Sequence, residues 1–245
     1  MFLLPEGTLE MRATQHGRGV FTTRDLNPGV IIGDYLGPIV FDKDIPHLKN
    51  SDHFYDMYYD EGTSVNPSGD TPGIHLINHS CTPNTWMYTY HRHTLYFALR
   101  KIFKGEELTV NYLIGPIDED CDPCEHKCTC DSPICRGSMH MSQSEFEKWT
   151  ELENKEEMMT TAVMQKPGED LKKLPHYPSL IPDHPIYTLF GNPNVEPLLH
   201  QTRSLLSLDE IRLLIRDSGR VIDLPLINTR ILGVLNEYLI SLPLR

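Results

Sequence analysis

The sequence predicts a β-rich α+β fold in which many short strands come first and a helical C-terminal region follows. Up to about residue 113, short segments rich in β-branched and aromatic residues alternate with turns that contain glycine and proline, a pattern typical of β-rich folds. After residue 140, two capping boxes precede runs of good helix formers. The 245 residues, 39% of them hydrophobic, are enough for one large domain or for one domain with an appendage.

The strands are predicted from the first part of the chain. Residues 7–40 contain short β-rich segments separated by the turn sequence Asn27-Pro28-Gly29. Residues 42–73 are predicted only as a polar, acidic region. Residues 85–98 alternate as a β-hairpin does, with His91-Arg92-His93 at its tip, and residues 107–113 have the composition of a further strand.

The helices are predicted from the last part of the chain. The capping box Ser142-x-x-Glu145 starts a helix that we expect to continue to about Met164. Residues 167–197 hold seven of the nineteen prolines, so this stretch is predicted to be an extended connection on the surface. A second capping box, Ser207-x-x-Glu210, and apolar residues at helical spacing in 227–238 predict two more helices.

The charge of the chain excludes some classes of function. With 22 basic and 34 acidic residues the net charge is −12, which disfavours bulk nucleic-acid binding and suits a basic protein partner. No stretch approaches the ~18 uninterrupted apolar residues of a membrane span, and Phe2-Leu3-Leu4 is too short for a signal-peptide core. We therefore expect an intracellular protein without a membrane partner.

An acidic stretch between Asp52 and Asp70 has two interpretations. No lysine or arginine occurs between Lys49 and Arg92. The stretch is either a solvated loop or a surface that attracts a basic peptide, mainly by raising the association rate.

The cysteines are clustered, which favours a metal site. Five of the six lie between Cys121 and Cys135, and Cys81 stands apart. C-x2-C and C-x-C spacings bring several sulfurs round one small ion, as zinc requires. Disulfides or free thiols are the alternatives, and disulfides would need an oxidising compartment.

Several motifs occur in a fixed order along the first 140 residues. They are His16-Gly17-Arg18-Gly19, Tyr35-x-Gly37, Asn78-His79-Ser80-Cys81-x-Pro83-Asn84, Gly105-Glu106-Glu107-Leu108-Thr109-x-x-Tyr112, and Cys128-x-Cys130-x4-Cys135-Arg136-Gly137. Taken singly, the glycine pair is typical of a plain turn and Tyr112 of a half-buried strand aromatic. Together they resemble the SET-domain protein-lysine methyltransferases, and the last motif resembles the post-SET zinc-binding segment of that family.

The resemblance implies a fold and an activity. It implies a SET domain over residues 8–115, with short strands and pseudoknot-like threading, and a post-SET segment over residues 120–140. Residues 141–245 match nothing, so their role is open; they either pack on the β core or dock a substrate or protein partner. The implied activity is transfer of a methyl group from S-adenosylmethionine to the side-chain amine of a lysine in a protein, most simply a histone tail, in the nucleus on chromatin or in the cytoplasm.

The resemblance also implies roles for residues. Tyr112 would be the catalytic tyrosine, and an aromatic channel including Tyr35 would favour the neutral amine. Residues implied to hold the cofactor are His16, Gly17, Arg18, Gly19, Tyr55, Asn78 and His79, with Tyr58 a competitor for Tyr55. Cys81, Cys128, Cys130 and Cys135 would bind one structural zinc ion, and Arg136-Gly137-Ser138-Met139 would cover the adenine and one channel wall.

Some positions depart from the family pattern. His75 stands where many members have arginine, and a core histidine is the simpler interpretation. Val110 stands where many have Phe or Tyr, which leaves the number of methyl groups added open. Cys121 and Cys124 are free thiols, an alternative ligand pair, or part of another metal arrangement with His126, and we favour free thiols. The alternative functions are a lysine methyltransferase with a non-histone substrate and a weakly active SET module that serves as a binding or scaffolding subunit.

Overall fold

The computed structural model describes most of the first 179 residues. The described residues are 1–15, 17–45, 55–118, 121, 124, 126–130, 132, 135–157 and 164–179. Their strands are β1 (Leu9–Thr14), β2 (Gly17–Thr22), β3 (Ile31–Asp34), β4 (Ile39–Phe41), β5 (Met57–Asp60), β6 (Thr63–Val65), β7 (Asn78–His79), β8 (Thr85–Tyr90), β9 (His93–Ala98) and β10 (Thr109–Val110). Helix α1 spans Gln143–Glu157, and short 3-10 turns span Asp42–Asp44 and Ile74–Leu76. No helix within these ranges is both long and apolar enough to cross a bilayer.

The strands form four small sheets. β1 and β2 make an antiparallel hairpin, β3-β9-β8 and β4-β6-β5 are three-stranded antiparallel sheets, and β7 pairs with β10 in parallel. The strand-rich fold with one helix among the described residues confirms the predicted fold class. The predicted strand over 107–113 is shorter in the structure, since only Thr109–Val110 pair as β10.

The predicted hairpin over 85–98 is confirmed together with its tip. Tyr90 pairs with His93, and the two residues between them, His91 and Arg92, have φ of 49° and 64°. Positive φ at both central positions is typical of the type I′ turn, whose twist matches that of the flanking strands.

The acidic region contains two strands that the sequence analysis did not assign. β5 and β6 flank Gly62, whose φ is 71°, and β6 also pairs with β4. Thr63, Ser64 and Val65 are all buried. β6 was not predicted because Thr63 and Ser64 are polar, although the strand is buried on both faces.

The core is divided into two clusters. The larger cluster joins residues from β2, β3, β4, β6, β9 and β10, including Tyr35, Tyr96 and Val110. The smaller cluster lies round Trp86 and Phe97, and Trp149 of α1 packs against it. Of the alternatives left open for the C-terminal region, packing onto the β core is therefore observed for α1.

Helix α1 begins as its capping box predicts. The Ser142 N–H donates to Glu145 Oε2 at 2.9 Å, and the Glu145 N–H donates to Ser142 Oγ at 3.4 Å. The predicted extension to Met164 includes residues 158–163, which lie outside the described residues. The same holds for the second capping box at Ser207 and for the helix over 227–238.

The start of the proline-rich connection is extended and packs on the sheet core. Asp170 forms a bridge with Pro38, the Leu171 N–H donates to Gly37 O at 2.8 Å, and Leu171 is buried in the larger cluster. This agrees with the prediction of a connection that follows the surface.

Candidate functional site

Two of the sequence motifs lie side by side because β7 and β10 are parallel. Asn78 is paired with Thr109 and His79 with Val110. The side chain of Asn84 joins the same motifs, since its Nδ2 donates to Glu107 O and its Oδ1 accepts from the Thr109 N–H, both at 2.8 Å. This explains why the motif that begins at Asn78 ends in an asparagine: the buried amide of Asn84 supplies a hydrogen-bond donor and an acceptor at once.

A second amide, that of Asn78, joins three motifs. Its Nδ2 donates to Arg18 O at 3.0 Å and to Glu107 Oε1 at 2.7 Å. Gly19 is closely packed at this point: a Cβ added to it would come within 2.4 Å of Glu107 Oε1. A larger residue at position 19 would therefore require the side chains of Glu107 and Asn78 to shift. The geometry gives Glu107 a positioning role that the sequence analysis did not assign.

His79 connects the backbone of Tyr112 to a cysteine. Its Nδ1 lies 3.2 Å from the Tyr112 nitrogen and accepts that N–H, while its Nε2 lies 3.8 Å from Cys81 Sγ. Burial lowers the pKa of His79 to about 4, so the imidazole is neutral near pH 7 and its remaining proton is on Nε2, facing the sulfur. One ring therefore fixes Tyr112 relative to Cys81.

Tyr112 presents its ring at the surface and its hydroxyl to the interior. The residue is 40% exposed, its hydroxyl donates to Ile77 O at 3.3 Å, and its ring lies 5.3 Å from that of His79. Burial raises the pKa of Tyr112 to about 12, so the phenol stays protonated at neutral pH. The next residue, Leu113, has a φ of 56°, an uncommon conformation that Asn111 supports by accepting the Leu113 N–H at 2.9 Å.

An aromatic wall is formed by Tyr35, Tyr55, His75 and Tyr96. Tyr35 contacts His75 with ring centroids 6.2 Å apart and Tyr96 at 6.4 Å, and Tyr55 meets His75 edge-on at 5.0 Å. Burial is the main cause that raises the pKa of Tyr35 and of Tyr96. Tyr96 was not predicted as part of this wall, although its place in a predicted hairpin strand made it a candidate.

The two tyrosines considered for the cofactor differ in their burial and contacts. Tyr55 is half-buried and contacts the aromatic wall, whereas Tyr58 is 64% exposed on β5. The contact with His75 favours Tyr55.

His75 is buried, as the core-histidine interpretation requires. It is 8% exposed, and burial lowers its pKa to about 4. Its Nε2, however, is buried without a hydrogen-bond partner within the part of the chain that the structure describes. A neutral imidazole with one unused nitrogen beside two tyrosines is suited to a polar group of a bound molecule.

The four cysteines predicted as zinc ligands converge. The Sγ atoms of Cys81, Cys128, Cys130 and Cys135 all lie within 4.8 Å of one another, and Cys81 Sγ is 3.6 Å from Cys128 Sγ. Backbone N–H groups of Cys81 and Gly137 point to the sulfurs of Cys130 and Cys135 at 3.4 Å. Such N–H groups stabilise thiolate charge, which a zinc ligand carries.

The remaining two cysteines also have neighbours. Cys121 and Cys124 lie with His126 and His140 in a second group whose ligand atoms are within 4.8 Å of one another. Cys121, Cys124 and His126 were candidates from the sequence. His140 was not, because the other cysteines separate it from Cys124 along the chain.

The acidic stretch is partly exposed next to the aromatic wall. Asp56 and Glu61 are exposed, while Asp60 pairs with Arg92 at 3.6 Å. The charge of Asp56 contributes to the raised pKa of Tyr35, so the two residues are close. Asp52 lies outside the described residues, and so does His16.

Comparison with known proteins was consistent with this geometry. Residues 17–113 match the model of a family described as "SET domain". The chain is 30% identical over 137 residues to "Histone-lysine N-methyltransferase trithorax" of Drosophila virilis, covering 51% of this chain and 3% of that protein. It is 30% identical over 131 residues to "Histone-lysine N-methyltransferase, H3 lysine-36 specific" of Eremothecium gossypii, covering 49% and 19%. A Saccharomyces cerevisiae protein with the same description is 28% identical over 176 residues, covering 66% and 23%. This chain therefore spans less than a quarter of the length of each of these relatives.

Proposed function

Because residues 17–113 match the model of the SET-domain family, we propose that this chain is an S-adenosylmethionine-dependent protein-lysine N-methyltransferase. The observation that carries the proposal is the position of Tyr112: His79 accepts its backbone N–H, and its phenol is protonated because burial, with a smaller contribution from Tyr55, raises the pKa of Tyr112. Tyr112 in turn contributes to the raised pKa of the buried Tyr35, so it is close to the aromatic wall. The names of the relatives support the same activity.

Residues around β7 fit the proposed cofactor. The backbone at Gly17 is open, since a Cβ added there would meet nothing within 4 Å, and its φ is 103°. Tyr55 is half-buried nearby in the aromatic wall, and His75 Nε2 offers an unused polar atom. We assign cofactor binding to Gly17, Arg18, Gly19, Tyr55, Asn78 and His79. The bound cofactor would supply a methyl group on a sulfonium. The protein would have to bind the amine, keep it neutral and orient it.

The protein must deliver a neutral amine in line with that methyl group. Free lysine has a pKa of about 10.4, so little of it is neutral at pH 7. The buried tyrosines give an environment that favours the neutral form. Because the pKa of Tyr112 is about 12, its phenol does not act as a base at neutral pH; it orients the amine, and the proton leaves to water. Positioning of this kind supplies up to roughly 7–11 kcal/mol.

The four-cysteine cluster fits structural zinc. Four thiolates complete a tetrahedral ion and leave no position for a catalytic water. Zinc there would fix residues 128–139, including Arg136-Gly137-Ser138-Met139, against the end of β7. We accordingly propose residues 8–115 as the SET domain, 120–140 as the post-SET segment and 141–245 as a separate region that includes α1.

We propose a basic protein substrate, most simply a histone tail in the nucleus. The carboxylates of Asp56 and Glu61 are both exposed, and that of Asp56 is close to Tyr35. Together they would attract lysine-rich peptides. The relatives are named for histone lysines, which supports this substrate class.

The test is transfer of labelled methyl groups to core histones and to lysate proteins, located by mass spectrometry. Tyr112→Phe should lower kcat by roughly 10²–10³-fold, by analogy with loss of one group that orients reacting atoms, and Tyr90→Phe on the hairpin serves as the control. Equal activity of Tyr112→Phe and the wild type would contradict the assigned role. Cofactor binding without transfer to any protein would favour a binding or scaffolding module instead.

A further inference from the structure

We propose that Cys121, Cys124, His126 and His140 form a second zinc site, distinct from the four-cysteine site. The residues offer two thiolates and two imidazoles whose ligand atoms lie within 4.8 Å of one another. This donor set is that of closed structural zinc sites. A second zinc site would also give a role to Cys121 and Cys124, for which the resemblance to SET domains provides none.

The distances within the group are those of ligands around one tetrahedral ion. With Zn–S of about 2.3 Å and Zn–N of about 2.0 Å, a sulfur and a nitrogen on the same ion are about 3.5 Å apart. The distances from Cys121 Sγ to His126 Nδ1 and to His140 Nε2 are 3.5 Å and 3.2 Å, and Cys124 Sγ lies 3.4 Å from His140 Nε2. Two sulfurs that converge on one ring nitrogen would be a poor hydrogen-bonding arrangement, because thiols are weak donors. A shared cation accounts for the convergence.

His140 is oriented for metal binding by its other nitrogen. Its Nδ1 lies 2.6 Å from Gly115 O, so Nδ1 carries the proton that it donates to this carbonyl. The lone pair is then on Nε2, the atom that faces both sulfurs. A backbone carbonyl that holds the second nitrogen of a ligating histidine is a recurring feature of zinc sites.

Backbone contacts place His126 opposite His140. Lys127 and Ser138 form an antiparallel bridge, and the Met139 N–H donates to His126 O at 2.9 Å. The two rings meet with centroids 4.9 Å apart and planes at 84°. Their nitrogens can therefore approach one ion from different directions.

The two sites interleave along the sequence. Cys128, Cys130 and Cys135 fall between His126 and His140, so each site closes a loop that contains ligands of the other. His140 also bridges to Ile114, two residues after Tyr112. The second ion would thus hold the segment that leaves Tyr112 against the cysteine-rich loop.

The experiment measures zinc in the full-length chain, after exposure to excess Zn²⁺ and dialysis into metal-free buffer. Inductively coupled plasma mass spectrometry should find two zinc ions per chain. Cys121→Ser with Cys124→Ser should retain one, and so should Cys128→Ser with Cys130→Ser. His91→Asn, at the exposed hairpin tip where φ is positive, is the control and should retain two.

X-ray absorption at the zinc edge measures the number of sulfur and nitrogen ligands per ion. It can be applied to the wild-type chain, so it does not depend on a variant that folds. The wild type should show an average of about three sulfur and one nitrogen ligands per ion, and the Cys121/Cys124 variant about four sulfurs. One zinc ion per wild-type chain, or a wild-type shell without nitrogen, would overturn the proposal. Neither measurement depends on methyl transfer, so the second site and the proposed activity can fail independently.

Discussion

Replacing Asn78 with aspartate tests whether its amide holds the three motifs together. The Asn78 side chain donates to Arg18 O and to the buried carboxylate of Glu107. Aspartate has the same shape and no amide protons. The Asn78→Asp variant therefore loses the bond to Arg18 O, about 1 kcal/mol, and places two carboxylates in contact.

The size of the effect follows from the cost of relieving that contact. Two charges about 3 Å apart repel by about 5 kcal/mol at an effective dielectric constant of about 20. Binding a proton to one carboxylate with an ordinary pKa near 4 costs about 4 kcal/mol at pH 7, and the protonated group can then donate to its neighbour. With the lost bond to Arg18, we expect a destabilisation of about 3–5 kcal/mol at pH 7.

The destabilisation caused by Asn78→Asp should be smaller at acidic pH, because the folded variant gains protons there. The carboxylate pair in the folded variant has a raised pKa, so the folded state binds more protons than the unfolded state above about pH 4. Stability relative to the wild type then falls as pH rises, by up to about 1.4 kcal/mol per pH unit. Near pH 4.5 the difference should be only about 1–2 kcal/mol.

The assay is urea unfolding followed by the fluorescence of the two tryptophans, for wild type and variant at each pH. The control reverses donor and acceptor: in Asn78→Asp with Glu107→Gln, the glutamine amide donates to the aspartate. This double variant should be about 1–2 kcal/mol less stable than the wild type at every pH, for the lost bond to Arg18 O. A pH-independent effect of Asn78→Asp, or a double variant as unstable as the single, would refute the assigned contact.

Three further predictions concern the core, the surface and the metal. Glu106→Ala should destabilise the fold by about 3–5 kcal/mol in urea, because it strips the fully buried Arg100 of a carboxylate at 2.9 Å; Arg100→Met with Glu106→Leu should cost less, and an equal or larger cost would argue against the ion pair. Asp56→Lys with Glu61→Lys should raise KM for a lysine-rich peptide by an amount that added salt reduces, while Glu6→Lys with Glu169→Lys changes the net charge equally and leaves KM unchanged. A KM insensitive to salt would indicate a solvated loop. Removing zinc with a chelator should abolish methyl transfer and expose residues 126–140 to proteolysis, and full activity in metal-free protein would contradict a structural role for the ion.

The features that could be predicted from the sequence are those that depend on neighbouring residues or on the order of motifs. The hairpin over 85–98 follows from alternation, and the start of α1 follows from Ser142 and Glu145. The order of motifs was enough to predict that Cys81 joins Cys128, Cys130 and Cys135. These predictions needed only short-range rules or a family pattern.

Other features depend on contacts between distant segments, which no local pattern records. β6 was missed because Thr63 and Ser64 are buried although they are polar. His140 was missed because the fold, through contacts such as the Lys127–Ser138 bridge, brings it to Cys121 and Cys124, which are distant from it in the sequence. The close contact of Gly19 with Glu107 was likewise not indicated by the glycine pair itself. In each case the three-dimensional neighbour decided the role of the residue.

The contact between the proposed zinc ligands and the proposed site of methyl transfer runs through His79. Its Nδ1 accepts the Tyr112 N–H and its Nε2 faces Cys81 Sγ, so movement of the cysteine is transmitted to the tyrosine through one rigid ring. Because burial keeps this imidazole neutral, it can accept on one side and donate on the other, which neither a charged imidazole nor an apolar ring can do. A zinc ion that performs no chemistry would therefore still set the position of Tyr112, and loss of the ion and loss of His79 should impair kcat in the same way while leaving the strand pairing of β8 and β9 intact.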